Sequence, residues 1–155
     1  MDSSANKSTN LDTVMPLMLE QLKAGGSFRF GPHGTSMLPM IRQGIDSVTV
    51  SPINGRLKKY DLPFYRRDNG QYVLHRILKV TGDSYTCIGD NQFVYEKGVR
   101  DDQLIGYVTS FYRADKEIKV TSLSYRFYCR FWHYTRHPRR ILRNVRARLR
   151  RIFKK

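Results

Sequence analysis

Between residues 27 and 121 the chain is cut by turn-forming clusters into short apolar runs, and this punctuation constrains the fold more than any other feature. Pro52-Ile53-Asn54-Gly55, Asp68-Asn69-Gly70 and Thr81-Gly82-Asp83 combine residues that tolerate left-handed backbone or bond their own main chain, so the chain turns at each of them. The segments they separate read as strands: residues 27–31, where Phe28 and Phe30 fall on one face, then 46–50, 62–66, 71–80, 84–88 and 104–113. Short strands at close spacing argue a compact, mainly β body over residues 27–121. No internal repeat interrupts it.

Helical periodicity flanks this body on both sides. Leu11, Met15, Met18, Leu19 and Leu22 recur at helical spacing, behind Asn10 or Asp12 as cap and before Gly25-Gly26 as terminator, which predicts a short amphipathic helix within a leading segment 1–26. Residues 122–155 differ in kind. They hold twelve Lys or Arg and no acid, leaving sixteen bases against thirteen acids in the rest of a chain whose formal charge is +15. Pro138 suits the first turn of a helix, and from there Ile141, Leu142, Val145, Leu149, Ile152 and Phe153 fall within about a third of the helical circle. Upstream lies a dense aromatic stretch, Tyr125, Phe127, Tyr128, Phe131, Trp132 and Tyr134, punctuated by Arg126, Arg130, His133 and Arg136.

At 155 residues the chain suits one folded domain with appendages. Its two cysteines, Cys87 and Cys129, form neither a disulfide framework nor a metal-ligand spacing, and read as unpaired thiols of a reducing compartment. No metal or cofactor is expected. Residues 1–10 are polar and lack the basic-then-apolar layout of a signal peptide, and no apolar run approaches the ~18 residues of a spanning helix. The expectation is a cytoplasmic protein, peripheral on the cytosolic membrane face.

Chemistry concentrates around one serine. Ser36 sits in Gly34-Thr35-Ser36-Met37-Leu38-Pro39, a turn shaped by its glycine and proline. A serine hydroxyl needs a base within hydrogen-bond reach to attack a carbonyl. The body offers His33, on the same loop, and His75, inside Tyr72-Val73-Leu74-His75-Arg76-Ile77-Leu78, where a strand would hold it fixed and partly desolvated. Alone, such a histidine is more often a core residue, and such a serine more often part of a turn.

Their company changes that. In order and spacing, Gly34-Thr35-Ser36-Met37-Leu38-Pro39, Asp61-Leu62-Pro63-Phe64-Tyr65, Leu74-His75-Arg76-Ile77, Gly89-Asp90-Asn91 and Ile105-Gly106 resemble the ordered boxes of the S24/S26 serine peptidases, the superfamily of signal peptidases and LexA-like proteases. The resemblance spans residues 28–109. It implies a compact peptidase β-fold, carrying here a short N-terminal helix and a basic amphipathic helical tail. Many members pair the serine with lysine. Histidine at the base position resembles the Ser-His branch found in endoplasmic-reticulum, archaeal and some Gram-positive signal peptidases.

The resemblance implies that Ser36 is the nucleophile and His75 the general base, which returns its proton to the leaving amine. It implies the Ser36 backbone N–H as oxyanion donor. Gly34 stands where some relatives place a helping hydroxyl, so Thr35 is the local side-chain alternative. For the acid that orients the histidine, Asp90 matches the box and is slightly preferred, with Glu96 the alternative; an Asp in such a box also serves as a turn cap.

Three readings fit the tail: a solvated helix, a nucleic-acid surface pairing arginines with aromatic rings, and an in-plane anchor on an anionic membrane. The anchor is favoured, as a substitute for the spanning helix of typical signal peptidases. A tail suited to the cytosolic leaflet points away from general secretory precursors, towards a specialised peptide-maturation or leader-removal step. Two other functions compete with the endopeptidase. One is a self-cleaving LexA-like protease, for which Ala24-Gly25 is the right dipeptide type but too few residues precede it for a helix-turn-helix domain. The other is a non-catalytic lipid- or nucleic-acid-binding module on the same fold.

Overall fold

The computed structural model describes residues 11–152. Their elements are α1 (Leu11–Lys23), β1 (Phe28–Phe30), β2 (Asp46–Ser51), β3 (Pro63–Arg66), β4 (Tyr72–Leu74), β5 (Arg76–Thr81), β6 (Ser84–Ile88), β7 (Glu96–Arg100), β8 (Leu104–Arg113), β9 (Lys116–Lys119), α2 (Leu123–Tyr134) and α3 (Arg136–Ile152). The strands form two antiparallel sheets, one ordered β1-β2-β8-β3-β4 with β9 added to β8, the other β5-β6-β7. The class is therefore mainly β with helices before and after. The contacts divide the chain into two units, Met1–Val120 and Thr121–Lys155.

α1 stops where its sequence says it should. Gly25 adopts φ +81°, its N–H reaches Leu22 O at 3.0 Å and that of Gly26 reaches Gln21 O at 2.9 Å, the paired bonds that close a helix through a left-handed residue. Met15, Met18 and Leu22 are buried. Asp12 is inside the helix rather than its cap, and Asn10, the other candidate cap, lies outside the described residues, as does Phe153.

β8 is the spine of the larger sheet, pairing with β2, β3 and β9. In β2 the alternation buries Asp46, Val48 and Val50 while Ser47, Thr49 and Ser51 face outward, the period of a sheet with one covered face. The core cluster joins both sheets: Tyr65 and Val73 come from the larger one, and Ile77, Tyr85, Cys87 and Val99 from the smaller, with Leu57 between strands. Burial pushes the Cys87 thiol up to about 12, so it is an inert core residue.

Residues 71–80 read as one strand, but the structure makes them two. β4 pairs with β3, and β5 pairs with β6 in the other sheet. His75 stands at the step from one sheet to the other. Burial is continuous from Val73 to Leu78, so the hydrophobic pattern carries no mark of the break. β7 and β9 went unread for the opposite reason. Each carries a single aliphatic anchor, Val99 and Ile118, among charged residues and lies at an edge of its sheet, where one covered position suffices.

In the second unit the aromatic stretch is itself a helix. Ser122 caps α2 by accepting from Tyr125 N, and the i, i+4 spacing stacks Phe127 on Phe131 and Tyr128 on Trp132. α3 begins at Arg136, two residues before Pro138. Proline is tolerated there because first-turn N–H groups have no intrahelical partner. The Arg139 guanidinium lies 3.6 Å from the Trp132 ring centroid, a cation–π contact joining the two helices.

Because Ile77 is fully buried where the sheets meet, Ile77→Ala is expected to cost roughly 2–5 kcal/mol, measured as a lower midpoint in urea unfolding.

Candidate active site

Ser36 lies on the irregular segment 31–45 between β1 and β2, which is anchored along its length. At its start the Gly34 N–H donates to Gln43 Oε1 at 2.7 Å. In the middle, buried Met37 and Ile41 are linked by Ile41 N to Met37 O at 3.0 Å. At its end Asp46 accepts from Arg42 through both the main-chain N–H and the guanidinium, and Arg113 donates to Met40 O at 2.8 Å. Burial raises the Asp46 carboxyl, but the Arg42 bonds outweigh it and hold the group below the usual carboxylate range.

Gly89-Asp90-Asn91 closes on the same loop from the other side. Asn91 N donates to Ser36 O at 2.8 Å and its side-chain amide to Thr35 O at 3.2 Å. A Cβ at Gly89 would sit 2.6 Å from Ser36 O, a distance no side chain allows, so only glycine permits the approach. Asp90 points away into the core. Both its oxygens accept from Arg76, at 2.8 and 2.7 Å, and the two side chains are 1% and 2% exposed. The carboxylate preferred from the sequence as the acid orienting His75 is thus held bidentately by Arg76, which follows His75 in the chain.

Glu96, the alternative, lies beside the imidazole. His75 Nδ1 lies 3.4 Å from Glu96 Oε2 and 3.3 Å from the Tyr65 hydroxyl, while Tyr65 donates its one proton to Glu96 Oε2 at 2.7 Å. Arg67 grips the carboxylate with Nε and Nη2, both at 2.6 Å. Burial raises the Glu96 carboxyl, but the bonds from Arg67 and Tyr65 outweigh it and keep the group ionised. Burial also raises the Tyr65 phenol, and its bond to Glu96 reinforces this. An ionised carboxylate and a phenol whose proton is already given both face Nδ1 as acceptors, so Nδ1 carries the imidazole proton and Nε2 the lone pair.

Burial lowers His75 to about 4, with Glu96 opposing that shift and Arg67 assisting it. The ring is thus neutral at neutral pH, which is the state of a resting base. Ser36 and His75 line one cavity of about 300 Å³, along with Thr35, His33, Arg67 and Gln92. The sequence candidates Ser36, Thr35 and His75 are thus brought to one cleft, with Glu96 behind the imidazole. Among the described residues no hydrogen bond joins the Ser36 hydroxyl to His75; what the two share is the lining of this cavity. No group of His, Cys, Asp and Glu suited to a metal ion occurs among the described residues.

Tyr65 and Arg67 complete the hydrogen-bonded network around Glu96, and the sequence reading left both without a place in it. Tyr65 belongs to β3 and Arg67 to the hairpin just after it, and only the return of β7 beside β6 brings Glu96 to them.

The two acids should separate by measurement. Asp90→Ala leaves Arg76 buried without its carboxylate and is expected to lose roughly 3–5 kcal/mol, whereas Glu96→Gln, in a partly exposed network, should change stability by about 1 kcal/mol or less. Urea unfolding of both variants checks this, and equal losses would contradict these roles. Compared with models of known protein families, with curated proteins and with solved structures, the chain matches none.

Proposed function

We propose that this chain is a serine endopeptidase of the signal-peptidase-like, Ser-His type, with Ser36 as nucleophile, His75 as general base and Glu96 in the third position. The observation that carries this is the surroundings of Nδ1: Glu96 Oε2 and the Tyr65 hydroxyl lie 3.4 and 3.3 Å from it in an imidazole that shares its cleft with Ser36, an arrangement that favours the proton on Nδ1 and the lone pair on Nε2. In the proposed reaction Ser36 Oγ attacks the scissile carbonyl carbon as Nε2 takes the hydroxyl proton. The imidazolium is stabilised by Glu96, whose charge lies 3.4 Å from Nδ1. The Ser36 N–H is the proposed donor to the oxyanion, with the Thr35 hydroxyl as its neighbour. Collapse expels the amine, which takes the proton from Nε2, and water then cleaves the acyl-enzyme by the same route.

A base at about 4 is weak in the resting site. Closure of a peptide over the cleft would remove more water and strengthen the attraction between Glu96 and the forming imidazolium, so the carboxylate acts when charge appears. Arg67 moderates that attraction while fixing the carboxylate in place.

Self-cleavage at Ala24-Gly25 has less support. That peptide bond is inside the helix cap formed by the Gly25 and Gly26 N–H groups, so presenting it to any nucleophile requires unwinding the end of α1.

Intact-mass detection of covalent capture by a serine-directed acylating probe tests the chemistry. Wild-type protein should be labelled once, Ser36→Ala not at all, and His75→Ala about 10²–10⁴-fold more slowly; equal labelling of Ser36→Ala would sink the assignment and favour a non-catalytic module. The labelling rate reads the base as well. Nε2 is unprotonated above its pKa, so the rate should hold steady from neutral pH down to about pH 5 and fall as pH drops through about 4, rather than declining near the ordinary histidine value.

A further inference from the structure

The helices of Thr121–Lys155 expose apolar stripes that their own packing does not cover. Along α2, Leu123, Phe127, Phe131 and Tyr134 recur at i, i+4, i+8 and i+11, between 52% and 80% exposed. Along α3, Ile141, Leu142, Val145 and Leu149 are between 47% and 65% exposed and fall within about 100° of the helical circle. Eight arginines occupy most of the remaining α3 positions, and the unit contains no acid. Large apolar side chains exposed along one face of a helix mark an interaction site.

The occupant must be apolar and anionic at once. A nucleic-acid strand would meet the arginines with phosphate and the α2 rings with bases, yet it would leave the aliphatic stripe of α3 in water. The headgroup boundary of an anionic bilayer meets both demands, because a helix lying in that plane buries its apolar face below the phosphates and sets its arginines among them. Tyr and Trp side chains favour the same depth, with a ring in the apolar zone and a polar edge in water. No described helix is long and apolar enough to cross a membrane, so in-plane binding is the geometry these helices allow. We propose that α2 and α3 are an in-plane lipid-binding element for anionic membrane surfaces. It stands independently of the catalytic assignment, which uses residues of the first unit alone.

Flotation of full-length protein with phosphatidylcholine vesicles, with and without added phosphatidylserine, tests it. The protein should float with the anionic vesicles and much less with the neutral ones. Val145→Ser with Leu149→Ser should weaken partitioning at least about tenfold, as should Arg146→Gln with Arg148→Gln and Arg150→Gln. Val145→Leu with Leu149→Met keeps the stripe apolar and should float like wild type, which separates loss of the face from loss of helix. The proposal is overturned if the serine variant floats like wild type, if anionic vesicles do not bind, or if a single-stranded RNA binds the chain and its serine variant equally while anionic vesicles fail to displace it.

Discussion

The buried ion pair between Arg76 and Asp90 holds together the two parts from which the cleft is made. Arg76 follows the histidine at the step between the two sheets, and Asp90 belongs to the turn whose neighbours, Gly89 and Asn91, press on the Ser36 loop. A bidentate pair this deeply buried gains most of its value from geometry, since its desolvation penalty offsets much of the attraction. Its consequence is positional: the turn after β6 cannot move relative to the start of β5 without unpairing two buried charges. The main-chain bond from Asn91 to Ser36 then carries that rigidity to the serine.

The histidine is governed by two opposed effects. Burial makes it a weak base, and the carboxylate beside it makes charge on the ring tolerable. Tyr65 reconciles them by giving its proton to Glu96 and turning a bare oxygen towards Nδ1, which fixes the tautomer without adding charge. Arg67 locks Glu96 from the outer side. Those four side chains come from β3, the following hairpin, the β4–β5 junction and the start of β7, so the site depends on both sheets being in place.

The helices after Val120 follow different physics. Their internal order comes from local interactions: a serine cap, aromatic stacks one turn apart and an arginine over Trp132. Their exposed surface couples aliphatic side chains to a single sign of charge. Such a surface is suited to a boundary between oil and anionic water rather than to the interior of a fold, which is the basis for proposing a membrane surface as its partner.

Much of this was written locally. Turn clusters set the strand limits, Gly25-Gly26 ended α1 and an apolar periodicity among basic residues marked the tail, because each depends on residues close in sequence. Ser36 and His75 were legible as candidates through motif order. What only the tertiary structure decided was the partner of each acid. Asp90 and Glu96 stand six residues apart, and nothing local distinguishes a carboxylate that will meet Arg76 from one that will meet His75. The break of residues 71–80 into two strands was equally silent, because burial on both sides erases periodicity at the point where the chain changes sheets. That change turns Arg76 inward to Asp90 and leaves the imidazole facing Glu96, so the neighbours of the two acids follow from long-range pairing rather than from the order of residues.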